Sequence, residues 1–63
     1  MTDSKPREVL FEYTQVGNSV RVTAIDAATG IEVTIQAPLN LGHADLQRTA
    51  LRKLDYVMKK GRK

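Results

Sequence analysis

Val22-Thr23-Ala24-Ile25-Asp26-Ala27-Ala28-Thr29-Gly30-Ile31-Glu32-Val33 is the stretch on which the fold turns. On both sides of Asp26 to Gly30 the side chains alternate with a period of two, as in a strand that buries one face. Between the two runs lies a turn. Asp26 at its start accepts bonds from backbone amides inside the loop, as Asx residues do, and Gly30 at its end takes the left-handed conformation. Closing this four-residue loop with Asp26 and Ile31 sets Ala24 opposite Val33 and Val22 opposite Ile35, apolar against apolar.

Toward the N-terminus, residues 19–26 place Val20, Val22 and Ala24 on one face and Arg21, Thr23 and Ile25 on the other. Gly17-Asn18 precedes them, and a two-residue loop with Gly first matches a type II′ hairpin. Residues 8–16 then place Val9, Phe11 and Tyr13 on one face and Leu10, Glu12, Thr14 and Val16 on the other, with Tyr13 opposite Val22 and Phe11 opposite Ala24. A slip of one residue in either hairpin would mix the two faces, so two independent turns and the alternation agree on one meander.

Toward the C-terminus, residues 31–37 set Ile31, Val33, Ile35 and Ala37 against Glu32, Thr34 and Gln36. Pro38 ends this strand, Leu39-Asn40-Leu41-Gly42 connect, and a helix is expected at 43–60, capped by Asn40 or Gly42. At about 100° per residue, Leu46, Ala50, Leu54 and Val57 form one stripe, widened by Leu51 and Met58. Gly61, after Lys59 and Lys60, reads as the helix stop. The expected architecture is α+β, a β-β-β-α domain over residues 7–61 in which the helix covers one face of a three-stranded antiparallel meander. Residues 1–6 read as a flexible N-terminus and residues 62–63 as a basic tail.

Sixty-three residues make one small domain. A chain of this size buries only about 60% of the surface it exposes when unfolded, so a partner or a dimer contact would add stability. Without cysteine there is no disulfide, no thiolate chemistry and no cysteine-based zinc site, which fits a cytoplasmic setting. No apolar run is long enough for a signal peptide or a membrane span. The net charge is +3, but Lys59, Lys60, Arg62 and Lys63 crowd the last five positions. From residue 7 to 58, five basic residues (Arg7, Arg21, Arg48, Arg52, Lys53) face six acidic ones (Glu8, Glu12, Asp26, Glu32, Asp45, Asp55). The folded body is therefore not basic, and cations at a helix C-terminus complement its dipole without any partner.

The stretches Arg7-Glu8-Val9-Leu10-Phe11-Glu12, Val22 to Val33 quoted above, and Ala50-Leu51-Arg52-Lys53-Leu54-Asp55-Tyr56-Val57 resemble a family of short bacterial proteins of unknown function, over about residues 7–61. The resemblance implies a free-standing bacterial protein and carries over no activity, ligand or site residue.

No catalytic constellation is readable. His43 is the only histidine, with no cysteine or second histidine to converge on it, so it reads as structural or solvated. Glu12 and Glu32 share the uncovered face across an intervening strand that carries Arg21, an arrangement of charge balance rather than paired acid and base. Ser4 and Ser19 have no base at a motif spacing, and the glycines form no phosphate-binding loop. Neither a cofactor nor a metal is expected, and the chain reads as non-enzymatic.

Two surfaces remain. The uncovered sheet face, with Arg21 against Glu12 and Glu32 and no aromatic residue, is a poor platform for nucleic acid. The outer helix face is better, with Arg48, Arg52, Tyr56, Lys59, Lys60, Arg62 and Lys63, and with Arg52 and Lys60 each four residues from Tyr56. The second surface is apolar: Leu10, Val16 and Ile25 lie on the uncovered face, and the first or third strand offers an unpaired edge without an interior proline. The favoured expectation is an accessory or protein-interaction module with an unidentified protein partner or a weak homodimer. The alternative is weak, sequence-independent nucleic-acid binding through the helix face and tail.

Overall fold

A computed structural model of the chain describes residues 8–61. Three strands, β1 (Val9–Val16), β2 (Ser19–Asp26) and β3 (Glu32–Pro38), precede one helix, α1 (His43–Gly61). The sheet is antiparallel in the order β1-β2-β3, and α1 packs on one face of it. Residues 1–6, expected to be a flexible N-terminus, Arg7, and the expected basic tail Arg62-Lys63 lie outside the described residues.

The register is the one that the turns impose. Tyr13 pairs with Val22, Phe11 with Ala24, Val22 with Ile35 and Ala24 with Val33. Gly17 has φ +61° and among the described residues only glycines have positive φ, so the first hairpin carries its left-handed residue in first place, as a II′ turn requires. In the second turn Gly30 has φ +79° and its amide donates to the Asp26 carbonyl at 2.8 Å. The Asp26 carboxylate, buried at the same place, accepts from the Thr29 amide at 3.0 Å and from the Thr29 hydroxyl at 2.9 Å. That Asx arrangement supplies amide and hydroxyl donors with a partner inside the loop.

Val20, Val22, Ala24 and Val33 from the sheet and Leu46, Ala50 and Leu54 from α1 make the buried core. Leu46 donates its amide to the Gly42 carbonyl at 3.0 Å, which makes Gly42 rather than Asn40 the cap.

Three expectations at the margins change. Ile31 stands before β3 instead of in it, because its amide donates to the Thr29 hydroxyl at 3.2 Å while the Asp26 carbonyl accepts from Gly30, and at this end of the sheet it is exposed. Val57 is 36% exposed, while Leu51 and Met58 pack against the core. The cause is lateral: by helical angle Val57 falls beside Lys53, which reaches the outward Thr34 carbonyl at the β3 edge, while Leu51 and Met58 fall on the opposite flank of the stripe, over the sheet. The helix also takes in Gly61 instead of stopping before it; its intrahelical bonding outweighs a glycine penalty of about 1 kcal/mol.

Candidate functional site

The two outer strands have opposite fates, and the phase of their hydrogen bonds shows why. In an antiparallel pair, successive residues turn their N–H and C=O alternately toward the partner strand and away from it. The Asp26 amide bonds the Ile31 carbonyl at 2.8 Å, so the odd residues of β3 face β2 and Glu32, Thr34, Gln36 and Pro38 face outward. On this outer edge Lys53 of α1 donates from Nζ to the Thr34 carbonyl at 3.1 Å. Pro38, with no N–H to offer, occupies an outward position where its missing donor costs the sheet nothing. A lysine and a proline at an edge are two of the devices by which proteins blunt unwanted strand pairing.

On β1 the bond from the Ala27 amide to the Glu8 carbonyl, at 3.0 Å, sets the opposite phase. Even residues from Glu8 to Val16 bond β2, and Val9, Phe11, Tyr13 and Gln15 turn their backbone polar groups outward. Neither a helix cation nor a proline stands on this edge among the described residues. The helix is centred on β2 and β3, so the inward side chains Val9, Phe11 and Tyr13 are only half-buried while Val22 and Ala24 beside them are fully buried.

Of the three apolar residues expected on the uncovered face, Leu10 and Val16 are exposed at 49% and 42%. Ile25 is half-buried, because it lies on the central strand between Leu10 and Glu32. The rest of this face is polar: Thr23 and Thr34 share a hydroxyl hydrogen bond at 3.1 Å, and Arg21 has Thr14 and Gln36 as its cross-strand neighbours.

On the outer helix face Arg48 donates to Asp45 at 3.0 Å. Lys60 Nζ lies 5.6 Å from the centroid of the Tyr56 ring, a cation–π distance. Among the described residues no ring contact joins Arg52 to Tyr56. Arg52, Lys59, Lys60 and Tyr56 are exposed on this face, while Arg62 and Lys63 lie outside the described residues.

His43 stacks on Tyr13, ring centroids 4.6 Å apart and planes 7° from parallel, and Gln47 Nε2 donates to the Tyr13 hydroxyl at 2.9 Å. Pattern reading missed this cluster, although Gln47 gives a signal: by helical angle it falls between Leu54 and Met58, inside the apolar stripe, where a polar group needs a partner. Lys53 gave a weaker one, as a lysine beside Leu46 on the flank of that stripe. Among the described residues no three His, Cys, Asp or Glu side chains gather to hold a metal, and no helix is long and apolar enough to cross a membrane.

Architecture and surface together define a small α+β domain whose open sheet is closed at one edge by its own helix and left open at the other. Residues 6–61 match the family model of a domain of unknown function, DUF6898, and the chain belongs to that family. No curated protein and no solved structure matches it.

Proposed function

We propose that this domain is a non-enzymatic protein-interaction module and that its docking element is the β1 edge. The observation that carries the reading is the asymmetry of the edges: a cation and a proline occupy the outward side of β3, while β1 turns four consecutive odd residues outward with Leu10 and Val16 exposed between them. An extended segment laid along β1 would gain backbone hydrogen bonds from Val9, Phe11, Tyr13 and Gln15 and apolar contact from their neighbours. On the rival surface, Arg48 and Lys60 are engaged within α1 with Asp45 and Tyr56, which favours the edge over nucleic-acid binding by the helix.

The test uses proline at outward positions. Gln15→Pro removes an outward N–H from β1 and breaks no bond to β2; Gln36→Pro does the same on β3. In capture from native extract, the partner is expected to be lost with Gln15→Pro and kept with Gln36→Pro and in high salt. Equal retention by both variants would overturn the β1 reading, and binding that fades steeply with salt and vanishes with Arg52→Glu would replace it by the nucleic-acid one.

A further inference from the structure

We propose that the segment docking on β1 is β1 of a second copy of this chain, paired antiparallel with Tyr13 opposite the partner's Tyr13. The inference rests on the reading of β1 as the docking edge and goes further by naming the occupant and the register. Two three-stranded sheets then become one sheet of six strands, and both unprotected edges are removed together.

The sequence of the strand selects the register. Symmetric antiparallel pairing sets residues of equal parity opposite one another, so a two-fold axis can pass only through a residue of β1 and its own copy. An axis at Glu12 brings two carboxylates face to face in a pair that exchanges no hydrogen bonds, where side chains lie closest, and like charges directly opposite are destabilising. An axis at Phe11 sets Glu12 against the partner's Leu10 and carries Val16 beyond the first residue of the partner's β1. An axis at Tyr13 avoids both faults. It places Leu10 opposite the partner's Val16, Glu12 opposite the partner's Thr14, and the outward groups of Phe11 against those of the partner's Gln15. Along the uncovered face β1 reads Leu10, Glu12, Thr14, Val16, apolar at both ends and polar between, a pattern that is its own complement when reversed. Since Leu10 already lies beside Ile25, each end of the joint gains an apolar row of Ile25, Leu10 and the partner's Val16. The three apolar residues of the uncovered face are consumed by one contact. An axis at Thr14 sets Glu12 against the partner's Val16, and an axis at Gln15 or Val16 carries both Leu10 and Glu12 beyond the end of the partner's β1.

Because the chain has no cysteine, single cysteines report the register without background. Glu12 and Thr14 are both exposed on the uncovered face, so Glu12→Cys and Thr14→Cys leave the core untouched. In the proposed register they form an opposed pair with Cα atoms about 4.5 Å apart, within disulfide reach. Mixed and mildly oxidised, the two variants are expected to cross-link to each other far faster than either does to itself. Light scattering of the unmodified chain is expected to give the dimer mass. Gln15→Pro is expected to weaken the dimer at least tenfold while circular dichroism stays that of the folded domain. Preferential cross-linking of Leu10→Cys with Glu12→Cys would overturn the register. A monomeric mass at millimolar concentration, with the Phe11, Tyr13 and Gln15 amides exchanging with solvent as fast as those of Thr34 and Gln36, would overturn self-pairing. If Gln15→Pro still abolished capture from extract in that event, the docking edge would stand with a different occupant.

Discussion

The β1 and β3 strands flank the same central strand, in full antiparallel register, and both bury one apolar side; they differ in what α1 does to their outer edge. Over β3 the helix lies close enough for Lys53 to reach the Thr34 carbonyl, and the strand ends in a proline whose missing donor faces outward. Over β1 the helix reaches Tyr13 through His43 and Gln47, and Val9 and Phe11 remain half-covered. Edge protection here is a property of where the helix sits across the sheet more than of the strands themselves. A single helix about 10 Å wide that sits over β2 and β3, instead of centrally on β2, leaves the strand about 4.8 Å further out only partly covered. One edge is left over, and in this chain it is β1.

The sharpest way to test that lateral offset is to compare core truncations on its two sides. Leu54 is fully buried between α1 and the sheet, and Leu54→Ala is expected to cost about 3 kcal/mol of unfolding free energy, enough to leave a domain this small largely unfolded. Phe11→Ala removes a larger side chain from a half-covered place and is expected to cost less, about 1.5 kcal/mol, against 3 kcal/mol or more for a fully buried phenylalanine. Urea unfolding of both variants decides it: a larger cost at Phe11 than at Leu54 would mean that the helix is centred nearer β1 than described.

The next effect distinguishes the two hairpins. The β2–β3 turn is held by side-chain chemistry, with the buried Asp26 carboxylate accepting from the amide and hydroxyl of Thr29. The β1–β2 turn depends on Gly17 and its φ of +61°, where an added Cβ would meet nothing within 4 Å, and its one side-chain bond is the exposed one from Gln15 Nε2 to the Gly17 carbonyl at 3.3 Å. Asp26→Ala is expected to cost about 2 kcal/mol, since hydrogen bonds to a charged group contribute more than neutral ones and the Thr29 donors lose their acceptor. Gly17→Ala is expected to cost about 1 kcal/mol, the penalty for a Cβ in the left-handed region and no steric clash besides. Thermal unfolding of the pair measures the difference, and equal costs would show that the carboxylate adds nothing beyond turn geometry.

The fold was legible in the sequence because three kinds of signal coincide. Period-two alternation, a Gly-first two-residue loop and an Asp-to-Gly four-residue loop each fix the same register, and a disagreement of one residue would have exposed Val22 and Ala24. The candidate site was legible only in part. That Leu10 and Val16 face away from the helix follows from parity alone. Which edge stays open does not, because it depends on the sideways placement of α1, and the stripe of Leu46, Ala50 and Leu54 would pack as readily between β1 and β2. Lys53 and Gln47 carry that information, since one bonds β3 and the other bonds Tyr13 of β1, but their partners are separated from them by 19 and 34 residues. Ile31 and Val57 failed for a related reason. Apolar character states a preference for burial, while the end of the strand ladder and the outer edge of the sheet decide whether there is anything to be buried against.

The smallest effect on stability comes from Lys53→Met, and it bears most directly on the difference between the edges. Lys53 is exposed, and one charge-assisted bond to a surface carbonyl contributes about 0.5 kcal/mol, part of which the apolar methionine stem recovers by covering the same flank. Unfolding free energy is therefore expected to move by less than 0.5 kcal/mol. The outward carbonyl of Thr34, however, loses its donor and β3 acquires an edge resembling that of β1 in every respect but Pro38. Assembly beyond the species formed by the unmodified chain is expected, seen as a concentration-dependent rise in mass by light scattering. Adding Gln36→Pro to the same variant is expected to reverse it, because that substitution blocks the outward side of β3 by another route. Were Lys53→Met to leave the mass unchanged, the lysine would be a bystander at an edge already closed by its proline, and the contrast between the two edges would rest on Pro38 alone.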